Sequence, residues 1–279
     1  MSELQTVINS QMNLPSTPAI VAELSSLLAK SDVSSNELAR VAKTDQAFTA
    51  RILKIVNSPF YGFSRQITSV EEAITMLGLD VVNQLLLATS VLNTLKTDSR
   101  ILDINKFWLH SFGVGVFAKH LLYQRTKELK NKAFICGILH DIGRLVFLKL
   151  DADRYTAFYD QGHSVTDLDK EQKWFGLDHQ QIGAELGRKW NFPEDFVLTI
   201  GNHHTPDQYA EESELVASVH LADIICHALD IGASGNKYVY SFSPQAWKNL
   251  GLNRDRLKKI VISALAEIEK TKKLLQNFS

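Results

Sequence analysis

The stretch AFICGILHDIGRLVFLKL, residues 133–150, decides how this chain is read. It is apolar almost throughout, reads as a helix, and carries His140-Asp141 in its middle, between Ile138-Leu139 and Ile142. An aspartate is rarely buried unless it is paired or ligates something. An adjacent His and Asp on an apolar helix therefore need a common explanation, and a divalent cation is the simplest. It accepts imidazole nitrogen and carboxylate oxygen together and cancels the charge of the buried carboxylate.

Outward from this pair lie further candidates. His110 sits in a helix beside Phe107, Phe112 and Val114; His179 opens a helix; His203-His204 closes one; Asp223 lies in the apolar run HLADIICHAL. A mixed nitrogen and oxygen set suits Fe, Mn, Zn, Ni or Co better than Ca or Mg. Taken singly, each histidine is more often a satisfied core residue than a ligand. No short zinc-finger spacing ties the set together, so the pattern names candidates without proving that they converge.

Helical periodicity dominates the rest of the chain, few runs alternate like strands, and no internal repeat stands out. Leu14 to Pro18 reads as an extended entry, because proline disfavours helix in the residue before it. AIVAELSSLLAK is a helix, and Ser34 or Ser35 caps the next. Ser69 with Glu72 three residues on has the capping-box pattern. Asp80 begins a long apolar helix, and the polar Lys96 to Arg100 is the candidate boundary between two lobes. INKFWLHSFGVGVFAKHLLYQR reads as an amphipathic helix, Asp151 to Asp169 is polar, and Gly232 to Phe242 reads as a loop. The sum is an all-α chain of about a dozen helices.

Composition narrows the function classes. With 279 residues, 45% of them hydrophobic, the chain can bury a sizeable core. Its 30 basic and 31 acidic residues leave a formal net charge of -1, which calls for no nucleic-acid or membrane partner. The lysine-rich terminal helix also carries Asp255, Glu267 and Glu269, the pattern of a solvated face. Cys136 and Cys226 lie in apolar runs and read as reduced core thiols. MSELQTVINS lacks the features of a secretory signal, and no apolar run approaches the roughly 20 residues that span a bilayer. The expected location is cytoplasmic.

Gly137-Ile138-Leu139-His140-Asp141-Ile142-Gly143 resembles the HD superfamily of metal-dependent phosphohydrolases. The N-terminal half is more specific. Leu14-Pro15-x-x-Pro18, Thr44 to Leu53, Val56-Asn57-Ser58-Pro59-Phe60-Tyr61-Gly62, Ile67 to Val70 and Ala73-Ile74-x-x-Leu77-Gly78 are similar to the HDOD family, an output domain related to HD hydrolases. The resemblance covers residues 12–212, with an N-terminal helical lobe over 1–100 and an HD-type lobe from 101. Residues 213–279 would then be C-terminal helices that complete the HD-like lobe. It implies a multi-helical HD-type core packed against the N-terminal lobe. In the HD fold a helix His, the His-Asp pair and a later Asp hold one metal; the matching positions are His110, His140, Asp141 and Asp223. The HD-GYP phosphodiesterases add a second metal through histidines matching His179, His203 and His204, with Asp141 bridging. The implied cofactor is one or two transition-metal ions, Fe, Mn, Zn or Ni, open to loss in vitro.

Three positions depart from the HD-GYP pattern. Its Glu one turn before the first His is Lys106, an unhelpful charge beside a metal. Its Gly-Tyr-Pro signature is replaced by Thr205 to Tyr209. Its Lys after His-Asp-x-Gly is Arg144, able to clamp a phosphate bidentately or to face solvent. The resemblance therefore implies a bacterial signalling module that holds a metal and acts through a protein partner. The alternative is a metal-dependent phosphohydrolase for a nucleotide or cyclic nucleotide, with Asp141 and Arg144 as catalytic residues and a nucleotide or phosphate as ligand. The block Asn57 to Gly62 would supply a contact surface, or would fix a turn between the lobes.

Overall fold

In a computed structural model of the chain, the described residues are 14–28, 34–43, 49–50, 52–53, 56–57, 63–95, 101–160, 168–209, 214–235, 239 and 242–275. All their regular structure is helical, as the periodicity predicts. In chain order the helices are α1 (Ala19–Leu28), α2 (Ser35–Lys43), α3 (Val70–Leu77), α4 (Leu79–Leu95), α5 (Ile104–Leu121), α6 (Lys127–Leu139), α7 (Ile142–Leu150), α8 (Ala152–Asp160), α9 (Leu168–Phe175), α10 (His179–Lys189), α11 (Glu194–Asn202), α12 (Glu214–Ala228), α13 (Pro244–Asn249) and α14 (Arg254–Leu275). None of them is long and apolar enough to cross a membrane.

The capping signals act locally. Ser34, not Ser35, caps α2: Glu37 N–H donates to Ser34 Oγ, and Ser34 N–H donates back to the Glu37 carboxylate. At α3, Ser69 Oγ accepts from Glu72 N–H, but the Glu72 carboxylate takes the N–H and hydroxyl of Thr68 and pairs with Arg65. The capping box is thus half-formed there, with the acid turned one residue upstream.

α4 is the seam of the molecule. It packs against α1, α2 and α3 on one side and against α6 and α7 on the other. The expected lobe boundary at Lys96 to Arg100 lies outside the described residues, as do Thr44 to Phe48 and Ser58 to Gly62. Asn57, at the edge of that last block, pins the chain to itself. Its Nδ2 donates to Leu53 O and Ile67 O, and its Oδ1 accepts from Ile67 N–H. The Leu14 to Pro18 entry lies across the C-terminal end of α10: Lys189 Nζ donates to Leu14 O and Trp190 Nε1 to Pro15 O.

α5 is the centre of the second half, flanked by α6, α12 and α14. The sequence suggests an amphipathic helix here, yet every residue from His110 to Ala118 is buried. Neighbours surround this part of α5, so it has no wet face. It crosses α6 in backbone contact: a Cβ on Gly137 would lie 2.5 Å from Gly115 Cα. Aromatic packing holds short helices in a polar stretch: α8 and α9 bring Tyr155 and Phe175 against Phe147 of α7, and Phe158 against Phe175. Cys136 and Cys226 are buried free thiols.

Candidate metal centre

His140 and Asp141 do not continue one helix, as the apolar run suggests. α6 ends at Leu139, the pair forms the turn, and α7 begins at Ile142. The break has a local cause. His140 Nδ1 stands 2.7 Å from Gly137 O, a carbonyl left over at the end of α6. Asp141 takes the position before α7 with φ -99° and ψ 15° and makes no capping bond. Its carboxylate turns inward instead.

The end of α11 repeats the device. His203 follows Asn202, and its Nδ1 lies 2.8 Å from Ile200 O, again three residues back. His179 is the first residue of α10, placed by the Asp178–Gln181 capping box, and its Nδ1 lies 2.7 Å from Glu171 Oε2. His110 Nδ1 is 3.3 Å from Ile231 O. Each of these oxygens is an acceptor, so each Nδ1 carries the proton. The four Nε2 atoms are then the ring nitrogens that face inward.

Those nitrogens meet two carboxylates. His140 Nε2 is 3.4 Å from Asp141 Oδ2 and 3.8 Å from Asp223 Oδ1. His110 Nε2 is 3.0 Å from Asp223 Oδ1. His179 Nε2 and His203 Nε2 lie 3.4 and 3.6 Å from Asp141 Oδ1. His204 completes the ring, with Nδ1 3.9 Å from Asp223 Oδ2 and Nε2 3.1 Å from His179 Nε2. Buried and without a hydrogen bond are His140 Nε2, His203 Nε2 and Asp223 Oδ2. Acceptors orphaned together in a dry core fit a cation, and several three- and four-residue subsets place their donor atoms within 4.8 Å of one another.

Burial sets the protonation. It pushes His179 down to about 3 and His203 down to about 4, and it lowers His110 and His204 as well. Burial works against a charged His140 too, but the Asp141 and Asp223 carboxylates outweigh it and raise that ring. Burial would raise Asp141, yet Arg144 and His140 hold it well below the usual carboxylate range. Asp223 is held down against burial by His110, His227 and His140.

All seven histidine and aspartate candidates named from the sequence therefore meet in one cluster. Two further residues join them. His227 is four residues after Asp223 on α12, with Nε2 3.2 Å from Asp223 Oδ1. The spacing Asp223-x-x-x-His227 signals a shared helix face. Glu171 accepts from both the backbone N–H and Nδ1 of His179, and burial pushes it up to about 8. Nothing in LDKEQKWF distinguishes this acid from a surface one.

Two expectations need correction. Lys106 is exposed, so it brings no positive charge to the cluster; only its carbonyl acts nearby, accepting from Ala233 N–H. Arg144 does not face solvent. It is fully buried, with Nε 2.8 Å from Asp141 Oδ1, and it faces Tyr155 and Glu171. Its place one turn into α7 directs the guanidinium back onto the pair that precedes the helix.

The helices that close the site are joined by a close crossing. A Cβ on Gly143 of α7 would lie 1.9 Å from His179 O, and one on Gly183 of α10 would lie 3.2 Å from Gly143 N. Thr205 to Tyr209, where the Gly-Tyr-Pro signature is missing, forms a short 3-10 turn over Pro206–Gln208, and Asp207 pairs with Ser243 Oγ. His220 links this region to the cluster: Nδ1 is 2.8 Å from His203 O, and Nε2 accepts from Ser243 N–H.

The family profile for the HDOD domain matches residues 14–206. An uncharacterized protein of Treponema pallidum (strain Nichols) is 26% identical over 229 residues, which are 78% of this chain and 43% of the relative. The chain thus spans less than half the length of that curated relative. Among solved structures, an HDOD domain protein with unknown function from Geobacter sulfurreducens superposes with a TM-score of 0.76 at 27% identity, over 98% of this chain and 96% of the other. A Shewanella amazonensis SB2B protein, described provisionally as a phosphohydrolase, gives a TM-score of 0.75 at 23% identity, over 98% and 97% of the two chains. At that identity the likeness is one of fold.

Proposed function

The chain belongs to the HDOD family, and we propose that it is a regulatory module organised around a transition-metal ion rather than an enzyme that needs turnover. His110, His140, Asp141 and Asp223 would hold the ion. The observation that carries this reading is the convergence of ring nitrogens and carboxylate oxygens in one buried cluster. Four imidazoles donate outward through Nδ1 and turn Nε2 toward two carboxylates. A nitrogen and oxygen set of this kind favours Fe, Mn, Zn or Ni.

Access favours the regulatory role. His140 and His179 have no exposed surface, Asp141, Asp223 and His110 show 1%, and only the His204 and His227 side chains reach 6% and 8%. A phosphate ester would need a wider approach to the ion. The second reading, a phosphohydrolase for a nucleotide or cyclic nucleotide, draws on the extra donors His179, His203 and His204 beside Asp141. An ion there would act as a Lewis acid toward a phosphoryl oxygen. In the regulatory reading the module acts in the cytoplasm through a protein partner, and the ion ties α5 and α12 to the junction of α6 and α7.

The test is metal analysis of protein purified without chelators, with parallel assays on a generic phosphodiester and on cyclic dinucleotides. Stoichiometric metal, lost in His140→Ala, with no hydrolysis above the blank supports the proposal. Hydrolysis that is lost in Asp141→Ala favours the phosphohydrolase.

A further inference from the structure

We propose that the cavity between the C-terminal end of α5 and the first half of α14 binds a phosphate monoester with an aromatic body, the chemistry of a mononucleotide. The inference is independent of the metal-binding reading. His120, which lines this cavity, follows His110 on the same helix, roughly 15 Å further along its axis.

The cavity has a volume of about 400 Å³, within the range of about 300–1,000 Å³ that small organic ligands occupy. Ile260 and Tyr123 give it an apolar and aromatic wall. Tyr123 is 39% exposed, so part of its ring is free to meet a second ring. The Arg256 guanidinium lies over the same ring, 4.6 Å from its centroid, and Nη1 donates to Gly251 O. Arg256 is therefore held at two points before a ligand arrives. Its remaining N–H groups suit two oxygens of a phosphate, and little side-chain freedom is lost when they take them.

The charge of the lining selects an anion. Lys259 follows Arg256 by three residues on α14 and shares its face, so the two cations stand side by side in the cavity. Among the described residues no carboxylate pairs with either of them. Glu267, further along α14, is engaged on the side of α5: Oε2 lies 2.7 Å from His120 Nε2 and Oε1 3.4 Å from Lys119 Nζ. Asp255 is the acid in the lining, and it is exposed, where water screens it. Both cations lie in the opening turns of α14, whose N-terminal end adds positive potential. Paired cations answer the double charge of a phosphate monoester better than the single charge of a carboxylate.

The experiment is a titration of the full chain in EDTA, so that no ion at the metal centre contributes. The probes are AMP, adenosine and inorganic phosphate, each added separately and followed by calorimetry and ligand-observed NMR. AMP is expected to bind at least roughly tenfold more tightly than adenosine or inorganic phosphate, because it engages both the cations and the aromatic wall. Arg256→Gln and Lys259→Gln are each expected to weaken AMP by roughly fivefold or more. Lys258→Gln removes an exposed lysine outside the lining and is expected to leave AMP binding unchanged. Lys259 is exposed, so its variant decides even if Arg256→Gln does not fold. Absence of AMP binding at millimolar concentration, adenosine or phosphate bound as tightly as AMP, an unchanged affinity in Lys259→Gln, or an equal loss in Lys258→Gln overturns the inference. AMP binding that is lost in His140→Ala and kept in Lys259→Gln would place the ligand at the metal centre and overturn it as well.

Discussion

Gly143→Ala tests the geometry that joins the two halves of the cluster. The added Cβ would lie 1.9 Å from His179 O and 2.7 Å from His179 C, both backbone atoms that cannot rotate away. Ordinary contact needs about 3.5 Å, so α10 must retreat from α7 by about 1.6 Å. Such a movement would open the 3.4 Å separation of Asp141 and His179 to about 5 Å. Overpacking typically costs about 1–3 kcal/mol, and a rigid backbone obstacle puts this case near the upper figure. For a chain of this size about 3 kcal/mol corresponds to a melting point lower by roughly 6–12 °C. The assay is thermal unfolding by circular dichroism in EDTA, so that metal loading does not contribute. Gly201→Ala is the internal control: its Cβ would meet only Ala184 Cβ, at 3.2 Å, and alanine gains up to about 1 kcal/mol in helix propensity. It is expected within about 3 °C of wild type. If Gly143→Ala melts with the control, the close crossing does not hold the site together.

Acid should destabilise the metal-free chain well before its carboxylates titrate. The unfolded chain takes up protons on His110, His179, His203, His204 and His220 as pH falls through 6.5, while the folded chain keeps His203 neutral to about 4 and His179 to about 3. Raised Glu171, His140 and Asp178 act in the opposite sense, but three groups do not cancel five. Each net proton is worth about 1.4 kcal/mol per pH unit, so urea titrations in EDTA should show stability falling between pH 6.5 and about 4.5; a flat or rising profile contradicts the burial of neutral histidines. Asn57→Ala removes three hydrogen bonds to Leu53 and Ile67 and is expected to cost about 2–3 kcal/mol in the same assay. A loss below about 0.5 kcal/mol would mean that Asn57 does not fix this part of the chain.

What the sequence reveals and what it hides follow from range. Local periodicity exposes the helices, and residue type marks His110, His140, Asp141, His179, His203, His204 and Asp223, because polar groups in apolar runs need a partner. Three features are not local. The helix break at His140-Asp141 depends on a side chain turning back to Gly137 O and a carboxylate drawn inward. Glu171 looks like a surface acid until α9 packs against α10 and closes it over His179. Arg144 has an exposed-looking identity and a buried address, which depends on how α8 and α9 cover α7. The aromatic contacts of Tyr155, Phe158 and Phe175 hide in a polar stretch for the same reason.

The most direct measurement of the central claim is the metal content of the full chain after stripping and reloading, read beside Asp223→Asn. Convergence of imidazole nitrogens on Asp223 and Asp141 predicts one tightly bound transition-metal ion per wild-type chain and none in the variant. Wild-type protein that binds no ion under reloading with Fe, Mn, Zn or Ni, yet folds normally, would contradict it.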